Sequence, residues 1–272
     1  MDRPNIAIVA AGEMGAGLGA RLVARGLSVR TSLTGRSAAT AERAARARFA
    51  IVTDDAELVD VAYVLSVVPP GDAIGLAERL RGVLAAASPK PVYIDCNAIA
   101  PRTSQRVAEI VNTTGCAYVD AGIVGGPPVT GDDSGPRIYL SGERAAQACE
   151  LRAFGVDVRD LAAPAGAASA LKLAYAGVTK GLTAIGAATR AAAQANGVAA
   201  ALREEVLASQ PELTAWLDRQ LPKMPPKAYR WVDEMEEIAV FLGDDGAGAG
   251  MYDGMARFYE HIARSFEPVP LG

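Results

Sequence analysis

A glycine-containing turn near the start of the chain carries the first chemical signal. In NIAIVAAGEMGAGLGARL, a short apolar run precedes Gly12 and Gly15, and a helical pattern follows them. In a dinucleotide site, such glycines let the chain turn tightly and let the backbone approach the pyrophosphate, which the helix N-terminus then binds. The first glycine position of the motif is Ala10 here, so a purely structural turn is the alternative. We predict a nucleotide site at Gly12, Glu13, Met14 and Gly15.

The residues after the second predicted strand indicate which nucleotide would bind. An NAD site usually carries an acidic residue there, which binds the ribose hydroxyl groups. No acidic residue occurs between Gly26 and Glu42. Arg36 instead offers a planar cation for a phosphate; Gly35 precedes it, and Ser37 is predicted to open the next helix. The sequence therefore favours NADP(H), bound at Gly35, Arg36 and Ser37, over the alternative that Arg36 is only a solvated residue at a helix start.

Three further loops follow predicted strands, where ligands of open sheets bind. Val68 and Pro69 in SVVPPGD are predicted to line the nicotinamide half of the cofactor. Asn97 in DCNAIAP could hold the nicotinamide carboxamide or the substrate, or it could cap the next helix. The paired glycines Gly125 and Gly126 could bind a carboxylate through their backbone N–H groups, or form an ordinary turn.

Over residues 1–162, short apolar runs alternate with helical patterns, which is typical of a parallel sheet covered by helices. Asp54 and Asp55 are predicted to cap one helix, and Pro101 to start another. The predicted strands are NIAIVA, LSVRTSL, FAIV, AYVLSVV, PVYIDC, AYVDAGIVG and RIYLSG. We predict an α/β fold with a Rossmann-like, doubly wound sheet in this first domain.

The pattern changes after this domain. PAGAASALKLAYAGVTKGLTAIGAATRAAAQANG predicts one helix of about thirty residues that ends at Gly197. Only helical patterns follow it, interrupted at LPKMPPKAY and GDDGAGAG. We therefore predict an all-helical second domain over residues 163–272, entered by the long helix.

Composition excludes several classes of function. The chain has 272 residues, enough for a large core, and a net charge of −4 without a basic cluster, which argues against nucleic acid as a partner. The single histidine, His261, and three separated cysteines argue against a metal site. We find no long uncharged apolar segment and no room for a signal peptide before the first strand, so we expect a cytoplasmic protein without a membrane partner.

Three stretches together resemble the β-hydroxyacid dehydrogenases, the superfamily that includes 6-phosphogluconate dehydrogenase. They are AAGEMGAGLGARL, DAGIVGGPPVTG at residues 120–131 and GAASALKLAYAG at residues 166–177, and their order fits nearly the whole chain. The second is similar to the family's substrate-binding stretch. The third is similar to its catalytic helix, with Lys172 at the place of the catalytic lysine. KAYRWVDEMEEIA, residues 227–239, resembles a poorly characterised branch of the superfamily.

The resemblance implies an oxidoreductase that moves a hydride between NADP(H) and a small hydroxy acid, with or without decarboxylation of the product. Lys172 would be the general acid and base, because burial beside a closed cofactor would lower its pKa. Without the resemblance, the favoured interpretation of Lys172 is an ion-paired helix residue. The resemblance also implies a homodimer, formed through the helical domain.

Two departures from the family pattern affect the predicted substrate site. The family's serine before the paired glycines is Val124 here, and its asparagine one turn after the lysine is Ala176. Both replacements remove a hydrogen-bonding side chain near the substrate. The side chains that could supply polar contacts instead are Tyr175, Asn97, Lys180, Lys227 and Glu234. Of the last group, Tyr175, Lys227 and Glu234 are our predicted substrate-binding residues.

Two other functions stay open at the level of sequence. Imine reductases and related carbonyl reductases share this architecture, although they usually replace the lysine that is present here as Lys172. A protein that binds NADP as a sensor or scaffold without catalysis would also fit the loss of the serine and the asparagine.

Overall fold

The structure is a computed structural model that describes residues 3–128, 135–243 and 246–266. The chain divides into two compact units, Met1–Lys172 and Leu173–Gly272. Residues 129–131 of the stretch predicted to bind substrate lie outside the described residues, as do residues 244–245 of GDDGAGAG.

The first unit is built on one eight-stranded sheet. Its strands are β1 (Ile6–Val9), β2 (Val29–Ser32), β3 (Ala50–Val52), β4 (Tyr63–Ser66), β5 (Val92–Asp95), β6 (Ala117–Val124), β7 (Arg137–Ser141) and β8 (Asp157–Asp160). The spatial order is β3-β2-β1-β4-β5-β6-β7-β8. The seven predicted strands are confirmed, and the chain order reverses direction between β1 and β4, as in other doubly wound sheets.

The structure differs from the sequence prediction at the far edge of the sheet. Strand β7 runs antiparallel to β6, whereas the other described neighbours are parallel. The chain returns to the sheet within residues 125–136, and a parallel pairing usually needs a longer crossover that contains a helix. Strand β8 was not predicted, because three of the four residues in DVRD are charged. Only Val158 is apolar, and it is buried. It pairs along one side only, at the sheet edge.

Helices cover both faces of this sheet. They are α1 (Glu13–Ala24), α2 (Ala38–Arg46), α3 (Asp55–Val59), α4 (Ala73–Ala86), α5 (Pro101–Asn112) and α6 (Ala145–Ala148). Successive strand side chains point to opposite faces, so Ile6 and Ile8 of β1 join one apolar cluster, and Ala7 and Val9 join another. Burial on both faces explains why the strand is apolar throughout.

The predicted helix starts agree with the structure. The Ser37 hydroxyl accepts the Thr40 N–H at the start of α2, and the Asp54 carboxylate accepts the Ala56 N–H at the start of α3. Pro101 occupies the first position of α5, where a missing N–H costs nothing. Local residue types thus determine where these helices begin.

The described residues of the second unit form helices and the short connections between them, and no strand. Helix α7 (Ala167–Ala195) begins in the first unit, and α8 (Ala199–Ser209), α9 (Pro211–Gln220), α10 (Ala228–Leu242) and α11 (Ala247–Ser265) follow. The predicted long helix is confirmed, and Gly197 beyond its end has a φ of 72°. A Cβ at Gly177 would lie 2.9 Å from the Tyr252 hydroxyl, so glycine lets α11 approach α7 closely. None of the described helices has the length and apolar character needed to cross a membrane.

Candidate functional site

The turn after β1 has the backbone geometry that a phosphate needs. Ala10 occupies the first glycine position of the motif with a φ of 70°, a left-handed conformation that costs a non-glycine residue about 1–2 kcal/mol. A Cβ at Gly15 would lie 2.3 Å from the Ala10 carbonyl oxygen, so α1 packs this closely only with glycine there. A Cβ at Gly12 would meet nothing within 4 Å, and no side chain caps α1 at this residue. The backbone at Gly12 is therefore open to an approaching group.

The next two predicted cofactor residues differ in their surroundings. Glu13 is exposed in the first turn of α1, where its carboxylate stabilises the positive end of the helix dipole. Met14 is half-buried and packs against the apolar core. Both would contact a phosphate only through the backbone N–H groups of the helix start.

The end of β2 brings the predicted phosphate-binding residues next to this turn. Gly35 has a φ of 71°, and a Cβ on it would meet nothing within 4 Å. Arg36 is half-buried, and its side chain forms no hydrogen bond or ion pair with any described residue. Ser37 caps α2. Sequence analysis missed Arg43, whose Nε donates to the carbonyl oxygen of Ala11 at 3.1 Å.

Helix spacing could have revealed Arg43. Ser37, Thr40 and Arg43 follow each other at intervals of three residues, so they share one side of an Ala-rich helix start. The Arg43 Nη2 donates to the Thr40 hydroxyl oxygen at 3.1 Å. What the sequence does not reveal is that this side faces the turn after β1.

Asn97 supports the loop after β4 from within the protein. Its side chain is 2% exposed. Its Oδ1 accepts the Val68 N–H at 2.7 Å, and its Nδ2 donates to the Ser66 hydroxyl at 2.8 Å. It does not cap α5, whose N-cap is Ala100. Asn97 therefore holds Val68 in place, and Pro69 lies exposed beside it.

A buried carboxyl group, which sequence analysis also missed, lies beside Asn97. Asp95 Oδ1 accepts the Asn97 N–H at 2.9 Å, while Oδ2 is buried without a hydrogen-bond partner among the described residues. Burial, together with the charge of nearby Asp120, raises the pKa of Asp95 to about 7. At neutral pH, this carboxyl therefore exists partly in its protonated form.

Asp120 on β6 connects the start of α7 to the sheet through hydrogen bonds. Its carboxylate accepts hydrogen bonds from the hydroxyls of Ser169 at 2.5 Å, Ser141 at 2.9 Å and Ser104 at 3.2 Å. It also accepts the backbone N–H groups of Gly166 at 2.9 Å and Ser169 at 3.0 Å. The carboxylate therefore binds the N–H group just before the helix, at Gly166, and that of Ser169 in its first turn, where N–H groups lack partners within the helix.

Lys172 lies directly over the same strand. A Cβ at Gly122 would lie 2.4 Å from the Ala168 carbonyl oxygen and 2.9 Å from the Lys172 Cβ. Helix α7 thus crosses β6 at the one position where the strand has no side chain. Lys172 is half-buried there.

The paired glycines follow immediately after β6. Gly125 has a φ of 124°, and a Cβ on Gly126 would meet nothing within 4 Å. Both glycines are exposed, so their backbone is accessible to a ligand. Val124, which replaces the family's serine, is buried in the strand.

The sheet order brings most of the predicted residues in the first unit together at the carboxyl ends of the strands. Strands β1, β4, β5 and β6 are parallel neighbours, so their carboxyl ends lie side by side. The glycine turn, the Val68 loop, Asn97 and the paired glycines follow these four ends in that order. This end of the sheet includes the reversal between β1 and β4, where open α/β sheets bind ligands.

The remaining predicted substrate residues belong to the second unit. Tyr175 on α7 is exposed, Lys227 precedes α10, and Glu234 on α10 forms an ion pair with Lys180 of α7. The Lys180 Nζ also lies 5.3 Å from the centre of the Trp231 ring. Glu234 is thus ion-paired with a lysine of the second unit.

Comparison with known families assigns both ends of the chain. The family model for the NAD binding domain of 6-phosphogluconate dehydrogenase matches residues 5–154. A domain of unknown function (DUF1932) matches residues 193–262. No curated protein sequence matches the chain significantly.

Solved structures have the same fold along nearly the whole chain. A conserved protein of unknown function, described as similar to 3-hydroxyacid dehydrogenases, is 27% identical with a TM-score of 0.72, covering 96% of this chain and 98% of its own. Mycobacterium tuberculosis 3-hydroxyisobutyrate dehydrogenase with L-serine is 20% identical with a TM-score of 0.73, covering 97% and 94%. A reductive aminase from Aspergillus terreus, in complex with NADPH and ethyl levulinate, is 18% identical with a TM-score of 0.61, covering 97% and 95%.

At these identities, the two named enzymes share the fold alone with this chain. The family model is more specific, because it matches more than half of the chain and includes the turn after β1 and the loops after β4 and β5. The first unit is therefore a nicotinamide dinucleotide-binding domain, and the chain belongs to the 6-phosphogluconate dehydrogenase family, with a DUF1932 domain in its C-terminal part.

Proposed function

We propose that this protein is an NADP(H)-dependent oxidoreductase that acts on a small hydroxy acid, with Lys172 as general acid and base. One observation carries the proposal. Lys172 of α7 lies over Gly122 of β6, and the open glycines Gly125 and Gly126 follow directly after this strand. The nucleotide turn lies at the same end of the sheet, where the carboxyl ends of β1, β4, β5 and β6 lie side by side.

The residues present fit a dinucleotide. The open backbone at Gly12 suits the pyrophosphate, Arg36 and Ser37 suit a 2′-phosphate, and Val68 and Pro69 suit the nicotinamide. When bound, the cofactor supplies the hydride acceptor or donor for the reaction. The cation at Arg36 supports NADP(H) over NAD(H), since the end of β2 lacks the carboxylate expected for a free ribose hydroxyl.

Lys172 accepts or donates the proton that is transferred together with the hydride. In its neutral form, the amine accepts the proton of the substrate hydroxyl. In the reverse direction, the ammonium polarises the carbonyl oxygen and returns that proton. The backbone N–H groups at Gly125 and Gly126 bind the substrate carboxylate. Tyr175, Lys227 and Glu234 of the second unit stay predictions from the sequence as substrate-binding residues.

The test combines cofactor binding with turnover in Lys172→Ala. We would titrate the purified protein with NADPH and NADH, then screen hydroxy acids by following the reduced nicotinamide. Lys172→Ala should keep its NADPH affinity and lose activity by about 10²- to 10⁴-fold, the usual worth of a general base. Lys223→Ala removes an exposed lysine and should behave as the wild type.

Equal turnover by wild type and Lys172→Ala would rule out the lysine mechanism. Tight NADPH binding without turnover of any hydroxy acid would favour a sensor over an enzyme.

A further inference from the structure

Arg43 is a rigidly held cation beside the proposed phosphate site. It is half-buried on α2. Its Nε bonds to the Ala11 carbonyl oxygen, and its Nη2 to the Thr40 hydroxyl, both at 3.1 Å. The guanidinium therefore bridges the glycine turn after β1 and the first turn of α2, and two bonds at different nitrogens fix its plane.

The charge of Arg43 is not neutralised by the protein that the structure describes. A guanidinium has five N–H donors. Apart from the two bonds above, Arg43 forms no other hydrogen bond and no ion pair with any described residue. Charged groups that are withdrawn from water are normally paired. A half-buried cation with spare donors therefore fits an anionic ligand.

The hydroxyls around Arg43 connect it to Arg36. The Thr40 Oγ1 that accepts from Arg43 lies 3.1 Å from the Ser37 Oγ, and Ser37 follows Arg36 directly. Arg36 also forms no ion pair with any described residue. Two arginines and two hydroxyls thus lie within the short segment 36–43, and Arg43 of this segment contacts the turn that would hold the pyrophosphate.

We propose that Arg43 is a specificity-determining residue that binds the 2′-phosphate of NADP(H) together with Arg36. This inference rests on the proposed cofactor role of the first unit. A phosphate monoester carries a charge between about −1.5 and −2 at neutral pH, so two arginines match it better than one. Because the bond to Ala11 already holds Arg43, little side-chain entropy is lost when the phosphate binds.

The experiment compares Arg43→Gln with Arg46→Gln, an exposed arginine three residues further along the same helix. Dissociation constants for NADPH and NADH are measured by fluorescence titration at one ionic strength. Competition by 2′,5′-ADP and 5′-AMP separates the 2′-phosphate from the rest of the nucleotide. Arg43→Gln should weaken the binding of NADPH and 2′,5′-ADP by about tenfold to a hundredfold. This factor corresponds to the usual free-energy contribution of a hydrogen bond to a charged group.

Binding of NADH and 5′-AMP should change by less than about threefold in Arg43→Gln, which also shows that the variant is folded. Arg46→Gln should leave all four affinities unchanged. Arg43→Lys keeps a cation without the planar fork, and it should retain part of the preference for NADPH.

Each contrary result has a distinct meaning. If Arg43→Gln weakens the binding of NADPH and NADH equally, Arg43 only stabilises the glycine turn and the inference is wrong. If it weakens neither, Arg43 does not touch the cofactor. A wild type that prefers NADH overturns the phosphate site but keeps the dinucleotide function, whereas a wild type that binds neither nucleotide overturns both.

Discussion

Two buried carboxyl groups on neighbouring strands differ in how well the protein solvates them. Asp95 of β5 and Asp120 of β6 pair in register. Asp120 accepts hydrogen bonds from Ser104, Ser141 and Ser169 and from two backbone N–H groups. Asp95 has one oxygen without a hydrogen-bond partner among the described residues. Its charged form is therefore the less favourable one, in keeping with a pKa raised to about 7.

At the scale of the residue, Asp95 should make stability depend on pH. Its pKa of about 7 in the folded protein lies above its ordinary value of 3.8. The stabilisation is therefore complete below the ordinary pKa and is lost as the pH rises through about 7. Between pH 6 and pH 8, the free energy of unfolding should fall by about 1 kcal/mol in the wild type. Urea unfolding at both pH values measures this change.

Asp95→Asn provides the control, because an amide has nearly the shape of a protonated carboxyl and does not titrate. Contributions from other groups are common to both proteins and cancel in the comparison. The variant should lack the wild-type loss of about 1 kcal/mol between pH 6 and pH 8. An equal pH dependence in both proteins would show that Asp95 does not titrate in this range.

At the scale of the element, the crossing of α7 over β6 determines where Lys172 lies. Asp120 binds the first N–H groups of the helix, and Ser141 also accepts the Ala168 N–H at 3.1 Å. Two residues after Asp120 on β6, Gly122 leaves room for the helix backbone at Ala168. Lys172 is thus held by the strand that precedes the paired glycines.

Gly122→Ala should displace this part of α7. The added Cβ would lie 2.4 Å from the Ala168 carbonyl oxygen, a contact that the backbone relieves only by moving. We expect a loss of about 1–3 kcal/mol of unfolding free energy, as for other overpacked positions, and reduced turnover with unchanged NADPH affinity. Chemical unfolding and cofactor titration measure the two effects.

Gly82→Ala on α4 is the matched control. A Cβ there would meet nothing within 4 Å, and alanine favours a helix over glycine by about 1 kcal/mol. It should therefore stabilise the protein slightly and leave turnover unchanged. Wild-type turnover and stability in Gly122→Ala would contradict the proposed role of this crossing.

At the scale of the whole molecule, α7 exposes an apolar stripe in the second unit. Tyr175, Val178, Leu182 and Ile185 are 46%, 62%, 38% and 48% exposed, and they lie on one side of the helix. Contiguous exposed apolar residues often mark interaction surfaces. The homodimer implied by the family resemblance stays a prediction, and a helix stripe suits it because two copies can pair it with itself.

Leu182→Glu combined with Ile185→Glu should convert such a dimer to a monomer, because each copy would bury two unpaired charges at the interface. Light scattering after size-exclusion chromatography measures the mass in solution. Ile51→Glu changes an isoleucine of β3 in the first unit that is 47% exposed, close to the value for Ile185, and should keep the wild-type mass. A monomeric wild type, or a dimeric double variant, would exclude this surface.

Local patterns in the sequence predicted most of the elements correctly. Alternation of apolar runs and helical periods identified seven strands and the long helix α7. Capping residues identified helix starts at Ser37 and Asp54, and the glycine turn identified the edge of the sheet that would bind a nucleotide. These features depend on residues within a few positions of each other, which a sequence displays directly.

The tertiary structure decided how distant residues meet. Strand β8 and the antiparallel direction of β7 depend on which strand lies alongside, not on local propensity. The inward amide of Asn97, the half-satisfied Asp95 and the contact of Arg43 with the turn after β1 join residues that lie far apart in the chain or on different elements. Burial and hydrogen-bond partners arise only when the chain is folded, so the sequence determined which groups are available, and the packing decided which of them face a ligand.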